Sequence, residues 1–136
     1  MTKFSIAMLV CSDLDRSRDF YRRILGLKLI TDRAPHWVEF ELSPGVTFGL
    51  HPRSDLLAVR PGSLQLGFTV ENVDLFVADC ATMSVPILQY PYDESFGRVA
   101  IISDPDGYPI QVGSPHRTSS PLQGDKRQAR DGKRRD

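Results

Sequence analysis

The chain has 136 residues, of which 40% are hydrophobic and 25% charged, and its formal net charge at pH 7 is zero. This length corresponds to one domain with a substantial single core. Residues 1–115 carry 10 basic and 14 acidic side chains, whereas residues 116–136 carry 7 and 3. An acidic body with a short basic tail argues against nucleic acid as the main ligand.

The cysteines and the apolar segments indicate the cellular compartment in which the protein is expected. Cys11 and Cys80 stand alone without a CxxC spacing, so neither a zinc site nor a redox motif is indicated, and a reducing compartment is favoured. The apolar run 4–11 is too short to span a membrane, and Asp13 and Asp15 follow it without a cleavage pattern. We therefore expect a cytoplasmic protein that does not engage membranes.

The first half of the chain predicts a strand, a helix and three further strands. The apolar segment 4–10 is typical of a central strand. Ser12 or Asp13 is suited to cap the following helix, and Gly26 is suited to end it. Strands are then expected at 27–31, 37–42 and 46–51.

The second half repeats this order. A strand is predicted at 64–70 and Asn72 is suited to cap a helix that ends near Pro86. Strands are expected at 87–92, 98–103 and 108–112. Both halves read βαβββ at an offset of about 59–60 residues, which pairs Phe48 with Tyr108 and Leu50 with Ile110. The fold class expected is α+β with two such modules.

The segment 104–111 and the tail are the remaining local features. Pro105 and Gly107 predict a tight turn before the last strand, with Gln111 on the strand face opposite Ile110. Residues 116–136 are rich in Ser, Arg, Lys and Gly and poor in apolar residues, so we expect a disordered basic tail.

Four motifs together carry a family resemblance: Asp13-Leu-Asp-Arg-Ser17 at the first helix, Phe20-Tyr21 within it, Leu25-Gly26-Leu27 after it, and Asp104-Pro-Asp-Gly107 near the end. With the βαβββ repeat, the chain resembles the vicinal-oxygen-chelate superfamily of glyoxalase I, extradiol dioxygenases, and fosfomycin- and bleomycin-resistance proteins. The resemblance implies curled mixed sheets in one domain over residues 1–115, with module one at 4–51 and module two at 64–113.

The resemblance also implies where a metal would be held. Metal enzymes of the superfamily place ligands on the first and fourth strands of each module, and these positions carry over to Ile6, His51, Gln65 and Gln111. Ile6 has no donor atom, and amides leave the charge of a divalent cation uncompensated. We expect no metal cofactor. If Zn, Ni, Mn or Fe binds, the expected ligands are His51, Gln65 and Gln111.

The reactions typical of the superfamily need either a general base or an iron site. A glyoxalase-type isomerisation moves a proton beside a carbonyl, and an extradiol dioxygenase uses two histidines and one carboxylate. Neither set is present at the carried-over positions. The nearest replacement base is Glu39 or Glu41, whose simpler interpretation is a solvated strand carboxylate.

A small, partly aromatic molecule is the ligand that the concave face is expected to bind. Aromatic walls with a few directional polar groups suit such a molecule, and an arginine suits a carboxylate or phosphate. Core, interface or surface ion-pair roles are the alternatives for each residue. The candidate ligand-binding residues are Met8, Trp37, His51, Gln65, Tyr92 (or Tyr90), Phe96, Arg98 and Gln111.

Three functions remain open at this stage. The first is a metal-independent binding protein of the bleomycin-resistance kind. The second is a metal-dependent lyase, isomerase or dioxygenase with an atypical ligand set, and the third is an accessory module without small-molecule chemistry. The resemblance further implies a homodimer.

Overall fold

A computed structural model describes residues 1–115, so the predicted disordered tail lies outside the described residues. The described chain consists of two compact units. The first unit comprises 1–64 together with 104–108, and the second comprises 65–103 and 109–115. Within the described residues, no helix is long and apolar enough to cross a membrane.

The first unit contains one four-stranded sheet and one helical segment. Helix α1 spans Leu14–Asp19, with Asp13 as its N-cap, and continues as a π-helical turn over Phe20–Ile24. The sheet order is β1-β4-β3-β2, with β1 parallel to β4 and the other neighbours antiparallel. The strands are β1 Ile6–Cys11, β2 Lys28–Arg33, β3 Trp37–Ser43 and β4 Val46–Pro52.

The core of the first unit lies on the face of the sheet that α1 covers. Alternation along β1, β3 and β4 sends one side chain in two to that face, where it is withdrawn from water. The Tyr21 ring packs edge-on against Phe48 at a centroid distance of 4.9 Å. The buried strand residues on this face are Leu9, Cys11, Val38, Phe40, Phe48 and Leu50.

The second unit repeats the arrangement with a longer helix. Asn72 caps helix α2, Val73–Thr82, through a hydrogen bond from the Leu75 amide to its side chain. The sheet order is β5-β8-β7-β6, again with the first pair parallel. The strands are β5 Leu66–Thr69, β6 Ile87–Glu94, β7 Gly97–Ser103 and β8 Pro109–Ser114. The predicted α+β class and its two βαβββ repeats are confirmed.

The predicted offset between the repeats is wrong for the third and fourth strands of each module. Met8 pairs with Gly49 in the first sheet, whereas its equivalent Gly67 pairs with Gln111 in the second. Gly49 is therefore equivalent to Gln111, an offset of 62 rather than about 59–60. One extra residue lies in β6 between Gln89 and Tyr92, and three more lie in the hairpin from Tyr92 to Val99, which corresponds to Arg33–Trp37 in the first sheet.

Candidate functional site

Each sheet has a second face, opposite its helix, that we call its open face. On the first sheet the open face carries Met8, Trp37, Glu39, Gly49 and His51, since these residues alternate with the buried ones. On the second sheet the alternation places Gly67, Thr69, Val99, Gln111 and Gly113 on the open face.

The open face of the second sheet contains a cavity of about 400 Å³. This volume is within the range of small-molecule sites. Phe96, in the turn between β6 and β7, forms an aromatic wall and is 66% exposed. Tyr92 pairs with Val99 and so lies on this face too. The lining residues are Gly67, Phe68, Thr69, Phe96, Val99, Gln111, Gly113, Ser114 and Pro115.

Two glycines, one on β5 and one on β8, line this cavity. A Cβ at Gly113 would lie 3.1 Å from Cγ1 of Val99, which is tighter than ordinary contact. A Cβ at Gly67 would meet nothing nearer than Nε2 of Gln111, at 3.9 Å, and would therefore project into the cavity. Our sequence analysis missed both residues, although a glycine inside a predicted strand signals a close approach of a ligand or a second backbone.

Gln111 supplies the directional polar group of this cavity. Its side chain is half-buried and makes no hydrogen bond with any residue in the range 1–115. A carboxamide offers both an N–H donor and a C=O acceptor, so it is able to orient a ligand that presents the complementary pair. Gln65 lies just before β5, is exposed, and does not line the cavity.

The open face of the first sheet brings together Trp37, Glu39, Gly49 and His51. The indole of Trp37 lies against the backbone at Gly49, where an added Cβ would come within 2.3 Å of Cη2. Nε1 of Trp37 donates to Oε1 of Glu39 at 3.2 Å. The His51 ring stands edge-on to the indole at a centroid distance of 6.1 Å. Met8, in the neighbouring strand, is 51% exposed.

The His51 ring is oriented by its neighbouring backbone. Nδ1 of His51 lies 2.7 Å from the carbonyl oxygen of Pro52. Because a carbonyl oxygen only accepts, the ring nitrogen Nδ1 is the donor in this contact. On the same face, Glu41 pairs with Lys28 at 3.2 Å and Glu39 accepts from Trp37, so each predicted base already has a partner.

Arg98 is not on the open face, which corrects its assignment as a ligand-binding residue. It shares a face of β7 with the buried residues Ala100 and Ile102. Its guanidinium binds Asp74 of α2 through two hydrogen bonds, of 2.9 and 3.1 Å, and Asp93 at 3.2 Å. These carboxylates occupy the guanidinium, so it does not reach the cavity.

The donor chemistry of the predicted metal ligands is poorly matched to a divalent metal. By register, the fourth-strand position of the first module is Gly49, not His51, and the first-strand position is Ile6. Neither Ile6 nor Gly49 has a side-chain donor, while Gln65 and Gln111 offer neutral oxygens. Among residues 1–115, no group of three or more His, Cys, Asp or Glu residues is arranged to hold an ion. The donor set does not fit a divalent metal.

The cysteine thiols are also unsuited to nucleophilic chemistry. Burial raises the pKa of Cys11 to about 12 and that of Cys80 to about 11. The thiolate is the reactive form, and both thiols remain protonated near neutral pH. Both residues are packed in the cores of their units.

The turn 104–108 has a structural role in the first unit. Oδ1 of Asp104 accepts from the backbone N–H groups of Asp106 and Tyr108, each at 2.9 Å. The Tyr108 hydroxyl donates to the carbonyl oxygen of Val10 at 2.9 Å, and Asp106 accepts from the backbone amide and hydroxyl of Ser12. The turn therefore fixes the end of β1.

Comparisons with known proteins agree with this architecture. A model of the Glyoxalase/Bleomycin resistance protein/Dioxygenase superfamily matches residues 3–112. The phenazine antibiotic resistance protein EhpR of Enterobacter agglomerans is 29% identical over 115 residues, 79% of this chain and 88% of EhpR. The structure of TnmS3, an antibiotic binding protein from Streptomyces sp. CB03234, is 26% identical with a TM-score of 0.69, covering 85% of this chain and 97% of TnmS3.

A third comparison supports the fold alone. The structure of a glyoxalase-related enzyme from Fulvimarina pelagi has a TM-score of 0.71 at 21% identity, covering 84% of this chain and 88% of that one. The resemblance found in the sequence is confirmed by the match over residues 3–112. The chain belongs to the glyoxalase/bleomycin resistance/dioxygenase superfamily.

Proposed function

We propose that this protein binds a small, planar, partly aromatic molecule without a catalytic metal, in the manner of antibiotic-binding members of its superfamily. The observation that carries the proposal is the cavity of about 400 Å³ on the second open face, walled by Phe96 and polar at Gln111. A mostly apolar concave site with one or two directional polar groups is the common form of a small-molecule site.

The relatives suggest the class of ligand. EhpR is described as a phenazine antibiotic resistance protein, and TnmS3 as an antibiotic binding protein. A phenazine is a flat tricyclic heteroaromatic, which an aromatic side chain such as Phe96 is suited to stack against. Stacking of this kind contributes about 0.5–1.5 kcal/mol beyond the area buried. Sequestration of such a molecule would require no chemistry from the protein.

The first open face supplies a second aromatic surface for the proposal. Trp37 is the only tryptophan of the chain, and the six-membered ring of its indole lies close to the backbone of Gly49. The other polar groups on this face, Glu39 and His51, are fixed by the contacts described above. A planar ligand that contacts this face is expected to quench Trp37 fluorescence.

Calorimetric titration of the protein with phenazine-1-carboxamide tests the proposal. Binding is expected in the micromolar range or tighter. A free concentration of 100 times Kd would stabilise the fold by about 2.7 kcal/mol and raise the melting temperature by several degrees. Prior treatment with a chelator should leave the affinity unchanged. Absence of binding across a panel of planar aromatics, or binding that the chelator abolishes, would overturn the proposal.

Two variants localise the binding. Phe96→Ala is expected to weaken affinity by about tenfold through the loss of stacking and buried area. Leu75→Ala is the matched control because Leu75 is an apolar residue on α2 with 65% exposure, close to that of Phe96. An equal effect of the two substitutions would place the ligand away from the cavity.

We propose further that the protein forms a homodimer. Leu88 and Tyr90, on the edge strand β6, are 54% and 63% exposed, and an apolar edge of this kind favours pairing with a second copy. Light scattering after size exclusion should give twice the chain mass, and Leu88→Glu should shift it toward the monomer. Leu75→Glu, an equally exposed apolar-to-acidic change on α2, should not.

A further inference from the structure

The cavity on the second open face has no ionisable side chain among its nine lining residues. Its polar side chains are the carboxamide of Gln111 and the hydroxyl of Thr69, whereas the Ser114 side chain lies on the helix-covered face with its register partner Arg98. The Ser114 hydroxyl already accepts a hydrogen bond from the Val73 amide at 3.4 Å. A charged ligand group placed here would exchange water for a surface that offers it no opposite charge.

The described residues of the unit that contains the cavity carry a net negative charge. The described residues of the second unit, 65–103 and 109–115, contain one basic side chain, Arg98, and five acidic ones. Arg98 lies on the opposite face of the sheet, bound by Asp74 and Asp93. The net charge of −4 in this described part opposes the approach of an anion, and the effect is screened by salt.

The Gln111 carboxamide has one acceptor, its C=O, and one donor group, its NH₂, and this pair is matched by an amide but not by a carboxylate. A ligand carboxamide or lactam presents one donor and one acceptor, so it satisfies both the C=O and the N–H of Gln111. A carboxylate presents two acceptors. One of its oxygens can accept from the N–H of Gln111, but the other then faces the Gln111 carbonyl oxygen, and these two oxygens cannot hydrogen-bond to each other. A site that hydrogen-bonds a ligand group discriminates strongly against an analogue that leaves the site's polar atoms unpaired.

We propose that the part of the ligand held in this cavity is uncharged and carries a carboxamide or lactam edge, and that Gln111 selects it over the corresponding carboxylate. The inference rests on the proposed function and names the chemical class of its ligand. It implies that the cavity takes neutral, amide-bearing planar heteroaromatics and leaves their free acids in solution.

The test compares phenazine-1-carboxamide with phenazine-1-carboxylate by calorimetry at pH 7.5, in low salt and in 0.5 M salt. The amide is expected to bind more tightly by at least about tenfold, and the difference should persist in high salt because hydrogen-bond matching is not screened. Gln111→Leu should reduce amide affinity by about tenfold and narrow the preference for the amide in 0.5 M salt, where desolvation of the carboxylate is the remaining source of rejection. Gln111→Lys should favour the carboxylate.

Gln89 provides matched controls. It lies on the same open face, since it pairs with Ile101 beside Gln111, and it does not line the cavity. Gln89→Leu and Gln89→Lys make the same chemical changes outside the cavity and should preserve the preference for the amide. Preserved melting temperatures establish that each variant is folded.

The outcomes separate the two proposals. Equal affinities, or tighter binding of the carboxylate to the unaltered protein, overturn the selectivity while leaving the proposed function in place. A preference for the carboxylate caused equally by Gln89→Lys and Gln111→Lys also overturns it, because overall charge would then explain the selectivity. If neither compound nor unsubstituted phenazine binds, the proposed function fails and this inference fails with it.

Discussion

The Tyr21 hydroxyl donates a 2.7 Å hydrogen bond to Oδ2 of Asp104, a carboxylate that is only 3% exposed. The two residues are 83 positions apart in the chain and both belong to the first unit. Asp104 also accepts from two backbone amides of its own turn, so three donors surround one buried carboxyl group. The turn that stood out in the sequence is therefore held in place through Tyr21.

Tyr21→Phe is expected to lower the free energy of unfolding by about 1.5–3 kcal/mol. It removes a hydrogen bond to a buried carboxylate while keeping the ring that packs against Phe48. Urea denaturation measures the change. Tyr90→Phe is the control because Tyr90 is 63% exposed, and its effect should stay within about 0.5 kcal/mol. Equal effects of the two substitutions would contradict a stabilising role for the Tyr21 hydroxyl.

Asp104 also predicts a pH dependence. Burial raises the pKa of its carboxyl group, although its three hydrogen bonds act in the opposite direction. The folded state then takes up a proton at higher pH than the unfolded state, where aspartate titrates near about 3.9. The contribution of this group to stability is full below that value and is lost as the pH rises through the folded pKa.

The comparison with Asp104→Asn isolates this contribution, because asparagine does not titrate. Urea denaturation of both proteins between about pH 4 and pH 7 should show the unaltered protein gaining stability relative to Asp104→Asn as the pH falls. The opposite trend would mean that hydrogen bonding outweighs burial at Asp104 and holds its pKa below the usual range.

The secondary structure of this chain was predictable because its signals are local. Apolar alternation and capping by Asp13 and Asn72 depend on residues within one turn or strand. The bond between Tyr21 and Asp104 was not predictable, because neither residue carries a local sign of its distant partner. Such pairs are determined by the tertiary fold.

The candidate site was predictable in part. Gln111 and Phe96 were expected on the binding face and line the cavity, but a ligand role for either is still untested. The assignment of Arg98 failed although its alternation with Ala100 and Ile102 was visible, since alternation does not say which face the helix covers. Pairing Leu50 with Ile110 in the sequence makes His51 equivalent to Gln111, and such matching of apolar residues does not detect a register shift between repeats.

Gly49→Ala is expected to displace the indole of Trp37, because the added Cβ would lie 2.3 Å from Cη2. The emission maximum of the only tryptophan should shift, and the free energy of unfolding should fall by about 1–3 kcal/mol. Gly67→Ala is the control in the second sheet, where the nearest atom to the new Cβ is 3.9 Å away. An unchanged spectrum in Gly49→Ala would contradict the close packing of Trp37 on this strand.

Arg98→Ala is expected to leave ligand affinity unchanged when measured in 0.5 M salt. The guanidinium lies on the helix-covered side of the second sheet, so its removal does not alter the cavity. The lost ion pairs with Asp74 and Asp93 are largely exposed and should cost about 0.2–1 kcal/mol of stability. A loss of carboxylate binding in calorimetry, with the fold intact, would restore Arg98 as a ligand-binding residue.

Metal content provides the last prediction. Protein purified without a chelator and without a histidine tag should contain well below one equivalent of Zn, Ni, Mn or Fe by mass spectrometry. The register supports this expectation, because Ile6 and Gly49 offer no side-chain donor where first- and fourth-strand ligands would stand. His51→Ala and the exposed-histidine control His36→Ala should have the same metal content.

A bound metal that depends on His51 would contradict this prediction. Near-stoichiometric metal that His51→Ala removes and His36→Ala retains would mean that His51 binds an ion despite its register position. Amide oxygens would then have to contribute to the coordination, since residues 1–115 contain no group of three or more His, Cys, Asp or Glu residues that could hold the ion. Such an ion would bring the metal-dependent alternative back, with Gln65→Leu and Gln111→Leu as the variants that should also lose it.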